Sequence, residues 1–100
     1  AIANLPGGRN MQKLRPDMNI GQNIQVLRHH KKLTQDATVA KLNLMGIEIT
    51  KSTYAKLETN RMNVKVSELI ALSIIFSCSM EDFFAGLKNE FIKYMHREMT

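Results

Sequence analysis

Between residues 19 and 99, apolar residues recur three or four positions apart, and no segment shows sustained alternation with a period of two. Spacing of three and four places apolar side chains on one face of an α-helix, whereas alternation would indicate a β-strand. Residues that commonly cap helices precede four of these segments, Asn19, Thr34, Thr50 and Ser79, and a further helix is expected to begin at Ser67. The pattern predicts an all-α chain of five helices, the last of which either continues past Gly86 or gives way there to a sixth.

The first two predicted helices occupy the segment before the most basic part of the chain. The first begins at Ile20, behind Asn19 as its cap, and ends in the polar run 29–32. The second begins after Thr34. We expect its buried side to consist of Ala37, Val39, Ala40 and Leu42.

The third predicted helix, residues 51–59, has two chemically different sides. Ile49, before the Thr50 cap, and Tyr54, inside the helix, have the spacing of a hydrophobic staple that sets the direction of the chain. Asn60 suits the left-handed residue that often follows a helix. The outer side is cationic and rich in hydroxyl groups, and it comprises Lys51, Ser52, Ala55, Lys56 and Thr59.

The last third of the chain is rich in large apolar residues. The run "LIALSIIF", behind Ser67, is apolar nearly all round and predicts a central helix of a small bundle. Ser79 caps a following helix that is expected to bury Phe83, Phe84 and Leu87. We also expect Met80 and Met95 in the core. A final apolar stripe comprises Phe91, Ile92, Met95 and Met99 and is expected to pair with a second copy of the chain, the alternative being that it folds back onto the bundle's own core.

Length and composition indicate one domain in a reducing compartment. The 100 residues, of which 44% are hydrophobic, suit a single packed core. Residues 1–18 hold both prolines and a Gly-Gly pair and are predicted to be a flexible arm, followed by a main domain, 19–87, and a helical extension, 88–100. Met18 is a candidate natural start, in which case residues 1–17 would be left over from cloning. The single cysteine, Cys78, and the lack of a signal peptide or a membrane-length apolar run favour the cytoplasm.

Positive charge is concentrated in the middle of the chain. Residues 19–65 carry eight basic and three acidic side chains, a net charge of +5, whereas residues 66–100 carry three basic and five acidic ones, a net charge of −2. Such asymmetry points to nucleic acid or another anionic surface as a partner, although the total charge of +5 is also ordinary for a soluble protein.

Three segments, taken in this order, resemble the phage-repressor and Cro-like (XRE) helix-turn-helix family: "IGQNIQVLRHHKKLTQ", "TKSTYAKLETNRMN" and "VSELIALSIIFSCSMEDFF". The resemblance covers Ile20 to Phe84. It implies a compact five-helix, lambda-repressor-like bundle whose second and third helices form the helix-turn-helix. It also implies a sequence-specific transcriptional regulator, a repressor by expectation, that binds double-stranded operator DNA as a homodimer.

In this family the third helix enters the major groove, so its outer side is expected to read bases. Lysine can donate to guanine, serine and threonine to bases or phosphates, and the methyl group of alanine can contact thymine. The alternative is an ordinary solvated helix face. The candidate DNA-binding residues are Gln35, Lys51, Ser52, Thr53, Ala55, Lys56, Thr59, Arg61 and Lys65.

The resemblance assigns supporting roles to residues around this helix. Gln35 matches a glutamine that clamps a phosphate, although a first-turn glutamine without a role is the alternative. Arg61 and Lys65 match contacts to the DNA backbone. Arg28 and Glu58 match a structural pair that bridges the first helix to the end of the third. We expect this pair to be partly exposed and only modestly stabilising.

Three departures from the family pattern affect how the third helix is aimed. Thr38 and Val39 replace leucine and alanine, which implies a wider or shifted packing. The segment 43–49, "NLMGIEI", makes a longer turn, with Gly46 supplying a positive φ. Asn60 replaces a glycine, which its tolerance of the left-handed region permits.

No enzyme, cofactor or metal chemistry is predicted. His29, His30 and Cys78 lack the spacing of a metal site, and no nucleophile–base pair or phosphate loop is visible. The main alternative to a regulator is an antitoxin-like module that binds a protein, with secondary or no DNA binding. A third is a helical adaptor that binds RNA or acidic proteins by charge. The operator, the direction of regulation and any small-molecule effector are left open.

Overall fold

A computed structural model describes the backbone of residues 20–99 and the side chains of residues 20–97. The described residues form five α-helices: α1 (Ile20–His30), α2 (Gln35–Leu44), α3 (Lys51–Glu58), α4 (Val66–Phe76) and α5 (Leu87–Met99). A short 3-10 helix, Met80–Phe84, lies between α4 and α5, and no strand occurs among residues 20–99. The all-α prediction is confirmed. The predicted arm 1–18, the Asn19 cap and the side chain of Met99 lie outside what the structure describes.

Helix starts follow the predicted caps in all three described cases. The hydroxyls of Thr34 and Thr50 accept hydrogen bonds from the backbone three residues on, at 3.0 and 3.1 Å. Ser79 likewise caps the 3-10 helix, which replaces the α-helix expected there. α4 begins at Val66, one residue before the predicted start at Ser67, and the Glu68 carboxylate accepts from the backbone N–H of Lys65 at 2.7 Å. A carboxylate in the first turn can accept a hydrogen bond from a free backbone N–H at the start of a helix, so that no hydroxyl cap is needed.

The core forms where α1, α2, α3 and α4 meet the 3-10 helix. Asn23 of α1 donates to the carbonyl oxygens of Phe83 and Ala85, at 2.8 and 3.1 Å, which holds the 3-10 helix against α1. The fully buried side chains are Tyr54, Phe83, Ile24, Leu42, Leu72 and Thr38.

The buried side of α2 differs from the predicted one. Ala40 is exposed, and Ala37 and Val39 are half-buried. Thr38 is buried instead, next to Leu42 on the same face. The Thr38 hydroxyl donates to the carbonyl oxygen of Thr34 at 2.9 Å, so burial leaves no polar group unpaired.

The turn between α2 and α3 is shorter than predicted because α2 continues to Leu44. Gly46 has a φ of 88°, as expected, and Ile47 and Ile49 pack on the core. Asn43 donates its side-chain amide to the carbonyl oxygens of Ile47 and Ile49, at 2.8 and 3.2 Å. These bonds hold the turn, and therefore the direction in which α3 leaves it.

Several residues predicted in the core are exposed. Of the run "LIALSIIF", Ile70 and Ile74 are on the surface, whereas Leu69, Ala71, Leu72 and Phe76 are buried. Phe84 is also exposed, as are Met80 and Met95. Gly86, with a φ of 80°, ends the preceding segment, and α5 begins after it.

Among the described residues, no single helix is both long and apolar enough to cross a membrane. The segments Val66–Phe76 and Met80–Arg97 pass that test only as a pair, which is bent by 114° at its break.

A close approach of α1 and α3 depends on a glycine that the sequence pattern did not single out. A Cβ atom on Gly21 would lie closer than 3.0 Å to the carbonyl oxygens of Leu57 and Glu58. The Gly21 N–H donates to the side-chain oxygen of Asn60 at 2.9 Å, and Asn60 has the predicted left-handed φ, 61°. The start of α1 is therefore bound directly to the end of α3.

We expect Gly21→Ala to lower the free energy of unfolding by about 1–3 kcal/mol, because the added methyl group meets backbone rather than a flexible side chain. In open space, the same change within a helix would stabilise by up to about 1 kcal/mol. The control is Gln22→Ala at the exposed neighbouring position. Urea unfolding followed by circular dichroism measures both. A Gly21→Ala protein as stable as the wild type would contradict the close approach.

Candidate nucleic-acid interface

The outer face of α3 is open to solvent, as predicted. Lys51, Ser52, Lys56 and Thr59 are exposed, and Thr53 and Ala55 are half-buried. The opposite face is buried through Tyr54, Leu57 and Glu58. A helix of this kind presents one polar surface, about 12 Å long, while its other side is held by the core.

A buried ion pair joins α1 to the end of α3. Nε and Nη2 of Arg28 donate to the two carboxylate oxygens of Glu58, at 2.6 and 3.1 Å, and Nη1 donates to the carbonyl oxygen of Leu33 at 2.8 Å. The side chains are 8% and 1% exposed. The predicted pair is present, but the expectation that it is partly exposed was wrong, because α1 and α3 enclose it.

Gln35 belongs to the same cluster. Its side-chain amide nitrogen donates to Oε1 of Glu58 at 3.0 Å, and the residue is half-buried. The predicted phosphate clamp is therefore held by a carboxylate of α3. The orientation of Gln35 at the start of α2 depends on the position of α3.

The cluster keeps the Glu58 carboxylate charged. Burial by itself would raise the pKa of Glu58, but hydrogen bonds from Arg28 and Gln35 and the adjacent Tyr54 hydroxyl outweigh it, and the pKa lies below its ordinary value. The hydrogen bond with Glu58 raises the pKa of Arg28. Burial raises the pKa of Tyr54, whose hydroxyl has no hydrogen bond of good geometry within the described part of the chain.

Some predicted DNA contacts already have partners on the protein. Thr59 donates its hydroxyl to the carbonyl oxygen of Ala55 at 3.0 Å and accepts from Nε of Arg61, also at 3.0 Å. Thr53 accepts from the Thr50 hydroxyl at 3.1 Å. Their side chains are therefore oriented by α3 and its ends rather than projecting freely.

The other candidates project from the surface. Lys51 forms an ion pair with Asp36 at 3.4 Å, and both side chains are more than half exposed, so the pair is weak. Ser52 and Lys56 form no hydrogen bond or ion pair with another side chain of residues 20–97. Lys65 is exposed at the start of α4. Lys51, Ser52, Ala55 and Lys56 thus remain the group on α3 best placed to contact a ligand.

Comparison with known protein families, curated proteins and solved structures finds no match for this chain. The resemblance to the phage-repressor family stays a prediction from the sequence.

Two residues that shape the interface were not identified as such from the sequence. Gly21 and Asn60 connect α1 to the end of α3, 39 positions apart. Asn60 was expected only to adopt a left-handed conformation, and a local pattern carries no signal for its distant partner.

The remaining side chains that could bind a metal or react chemically lie apart from this interface. His29 and His30 are exposed, and no group of three or more potential metal ligands occurs among the described residues. Cys78 is half-buried against the core, and burial raises the pKa of its thiol. This makes the neutral thiol the stable form at neutral pH.

We expect Glu58→Gln to lower the free energy of unfolding by about 3–5 kcal/mol at pH 7, because it leaves the Arg28 charge buried without a counter-charge. Since the pKa of Glu58 is lower in the folded state, its contribution is complete above the unfolded pKa and is lost as pH falls through the folded value. The difference between wild type and variant should therefore shrink below about pH 4.5.

Urea unfolding at pH 3 to 7 measures this difference. Glu48→Gln, at an exposed position, is the matched control and should change stability little at any pH. A Glu58→Gln effect that is small, or that grows in acid, would contradict a buried, charged Glu58.

Proposed function

We propose that the chain is a sequence-specific, DNA-binding transcriptional regulator that reads the major groove of double-stranded DNA with α3. The observation that carries this proposal is the outer face of α3, which is exposed and cationic while the other face is anchored by a buried ion pair. A rigidly held helix with donors on its free side suits recognition of base edges.

The dimensions and charges of the interface support the proposal. The major groove is about 12 Å wide and admits one α-helix. Lys51 and Lys56 could donate to guanine, Ser52 to a base or phosphate, and the Ala55 methyl group could contact thymine. Thr53 and Thr59 contribute mainly through their hydrogen bonds within the protein, which fix the side chains at the two ends of α3.

Phosphate contacts flank the proposed reading face. Arg61 and Lys65 follow α3 and are exposed, and Gln35 begins α2 beside it. The weak, exposed pair between Lys51 and Asp36 is easily exchanged for a DNA contact. Most of the affinity is expected from such phosphate contacts, whereas specificity comes from base contacts.

The regulator is proposed to act as a homodimer in the cytoplasm, without a cofactor and without enzymatic activity. Two copies related by a two-fold axis would place their α3 helices about 34 Å apart, one turn of DNA, on a palindromic site. Repression is the expected outcome, since an occupied operator can block transcription.

The second candidate is an antitoxin-like module that binds a protein. The exposed apolar side chains of Ile70 and Ile74 favour it, because a protein partner could cover them. In that case α3 variants would leave partner binding unchanged, and DNA binding would show no preference among sequences.

We expect Lys51→Ala and Lys56→Ala to reduce the affinity ratio between a selected and an unrelated duplex, because each removes a base contact. Arg61→Ala and Lys65→Ala should weaken binding to both duplexes alike and lower the slope of log affinity against log salt by about one unit each. Lys93→Ala, at an exposed position of α5, is the matched control.

Fluorescence anisotropy titrations at several salt concentrations measure these quantities. If all four variants near α3 bind as the wild type does, α3 is not the reading helix. If Arg61→Ala and Lys65→Ala have the same salt dependence as the Lys93→Ala control, Arg61 and Lys65 make no phosphate contacts.

A further inference from the structure

Two helices present apolar faces that no described residue covers. On α4, Val66, Ile70 and Ile74 are 70%, 49% and 63% exposed, and their spacing of four places them in one row. On α5, Ile92 and Met95 are 40% and 41% exposed. We call these the α4 face (Val66, Ile70, Ile74) and the α5 face (Ile92, Met95).

The two faces do not cover each other within one chain. α5 lies beside α1, separated by a polar groove that Asn23 and Lys93 line from opposite sides, and Tyr94 is buried. At 100° per residue, Ile92 and Met95 lie roughly 100–160° around the helix from Tyr94. The α5 face is therefore directed away from its own bundle, and α5 has little backbone contact with any other described helix.

The area of the two faces together matches what a stable dimer buries. Covering their five side chains would remove on the order of 450 Å² of apolar surface per copy. Because about three-fifths of a dimer interface is apolar, the whole interface would be about 700–800 Å² per copy, the size of a stable one. Either face alone would fall well short of this area.

Charge also favours contact between unlike faces. Lys88 lies four residues before Ile92 on the same side of α5, and His96 follows Met95. Pairing two α5 faces would bring these basic groups together. The residues between the members of the α4 row include Ser67 and Ser73, with Lys65 before the helix and the acidic Glu81 and Asp82 after it, so an α5 face meets fewer like charges there than on a second α5 face.

We propose that a second copy of this chain covers both faces reciprocally: α5 of each copy lies along α4 of the other, related by a two-fold axis. This deepens the dimer assumed in the proposed function, but the contact itself does not depend on DNA. The proposed contact uses the α4 face and the α5 face of each copy and does not involve the outer face of α3.

The test uses charges of opposite sign on the two faces. One variant carries Ile70→Lys and Ile74→Lys, and the other carries Ile92→Glu and Met95→Glu, all at exposed positions where folding should survive. Each variant alone should dissociate, with its dimer dissociation constant raised roughly 100-fold or more, because charges face apolar surface at both contacts. An equimolar mixture should form a heterodimer, since one contact is then Lys–Glu and the other is wild type.

Sedimentation equilibrium without DNA measures these states, and circular dichroism confirms the helical content of each variant. Leu44→Lys, at an exposed apolar position outside both faces, is the control and should remain dimeric. A monomeric wild type would overturn the proposal. Loss of association in only one variant would also overturn it, because it would indicate α4–α4 or α5–α5 pairing.

Binding of the dissociated lysine variant to a half-site duplex separates this proposal from the proposed function. Retained half-site binding with lost dimerisation supports both proposals. Loss of DNA binding in a wild-type protein that dimerises as described would remove only the function.

Discussion

The ion pair between Arg28 and Glu58 lies where α1, α2 and α3 meet, and the arrangement of these helices depends on it. Burying two charges is unfavourable unless each finds its partners, and here the guanidinium also binds the carbonyl oxygen of Leu33 while Gln35 binds the carboxylate. A shift of any one helix would leave a buried charge unsatisfied. The nearby contact of Gly21 with Asn60 brings the same helices close enough for the pair to form.

Local chemistry was sufficient to predict most helices but not all of their buried faces. The Thr34, Thr50 and Ser79 caps and the left-handed Asn60 follow from the residues themselves, so the sequence reveals them. Thr38 was missed because a hydroxyl that bonds to its own helix can be buried as readily as an alanine. The exposure of Ile70 and Ile74 was missed because a run that is apolar on every side gives no indication of which side lacks a neighbour.

For the interface, helical spacing correctly predicted which side chains of α3 face outward, but not what those side chains bind. The Gln35–Glu58 and Lys51–Asp36 contacts join residues 23 and 15 positions apart, and such partners are absent from any local pattern. They change the chemistry proposed for the site: Gln35 is positioned by α3, and Lys51 and Lys56 remain as the cations most able to reach bases. The predicted role of each residue in binding DNA stays a prediction.

We propose that α3, held by the buried pair, reads DNA sequence in a two-fold arrangement. Selection of bound duplexes from a random pool, followed by sequencing, shows whether it does. We expect enrichment of one palindromic motif whose half-sites lie about 10 base pairs apart, centre to centre. Enrichment should be lost when the selection is repeated with a protein that carries Lys51→Ala and Lys56→Ala. A pool that shows no enriched motif, or an identical motif for the variant, would mean that α3 does not read DNA sequence.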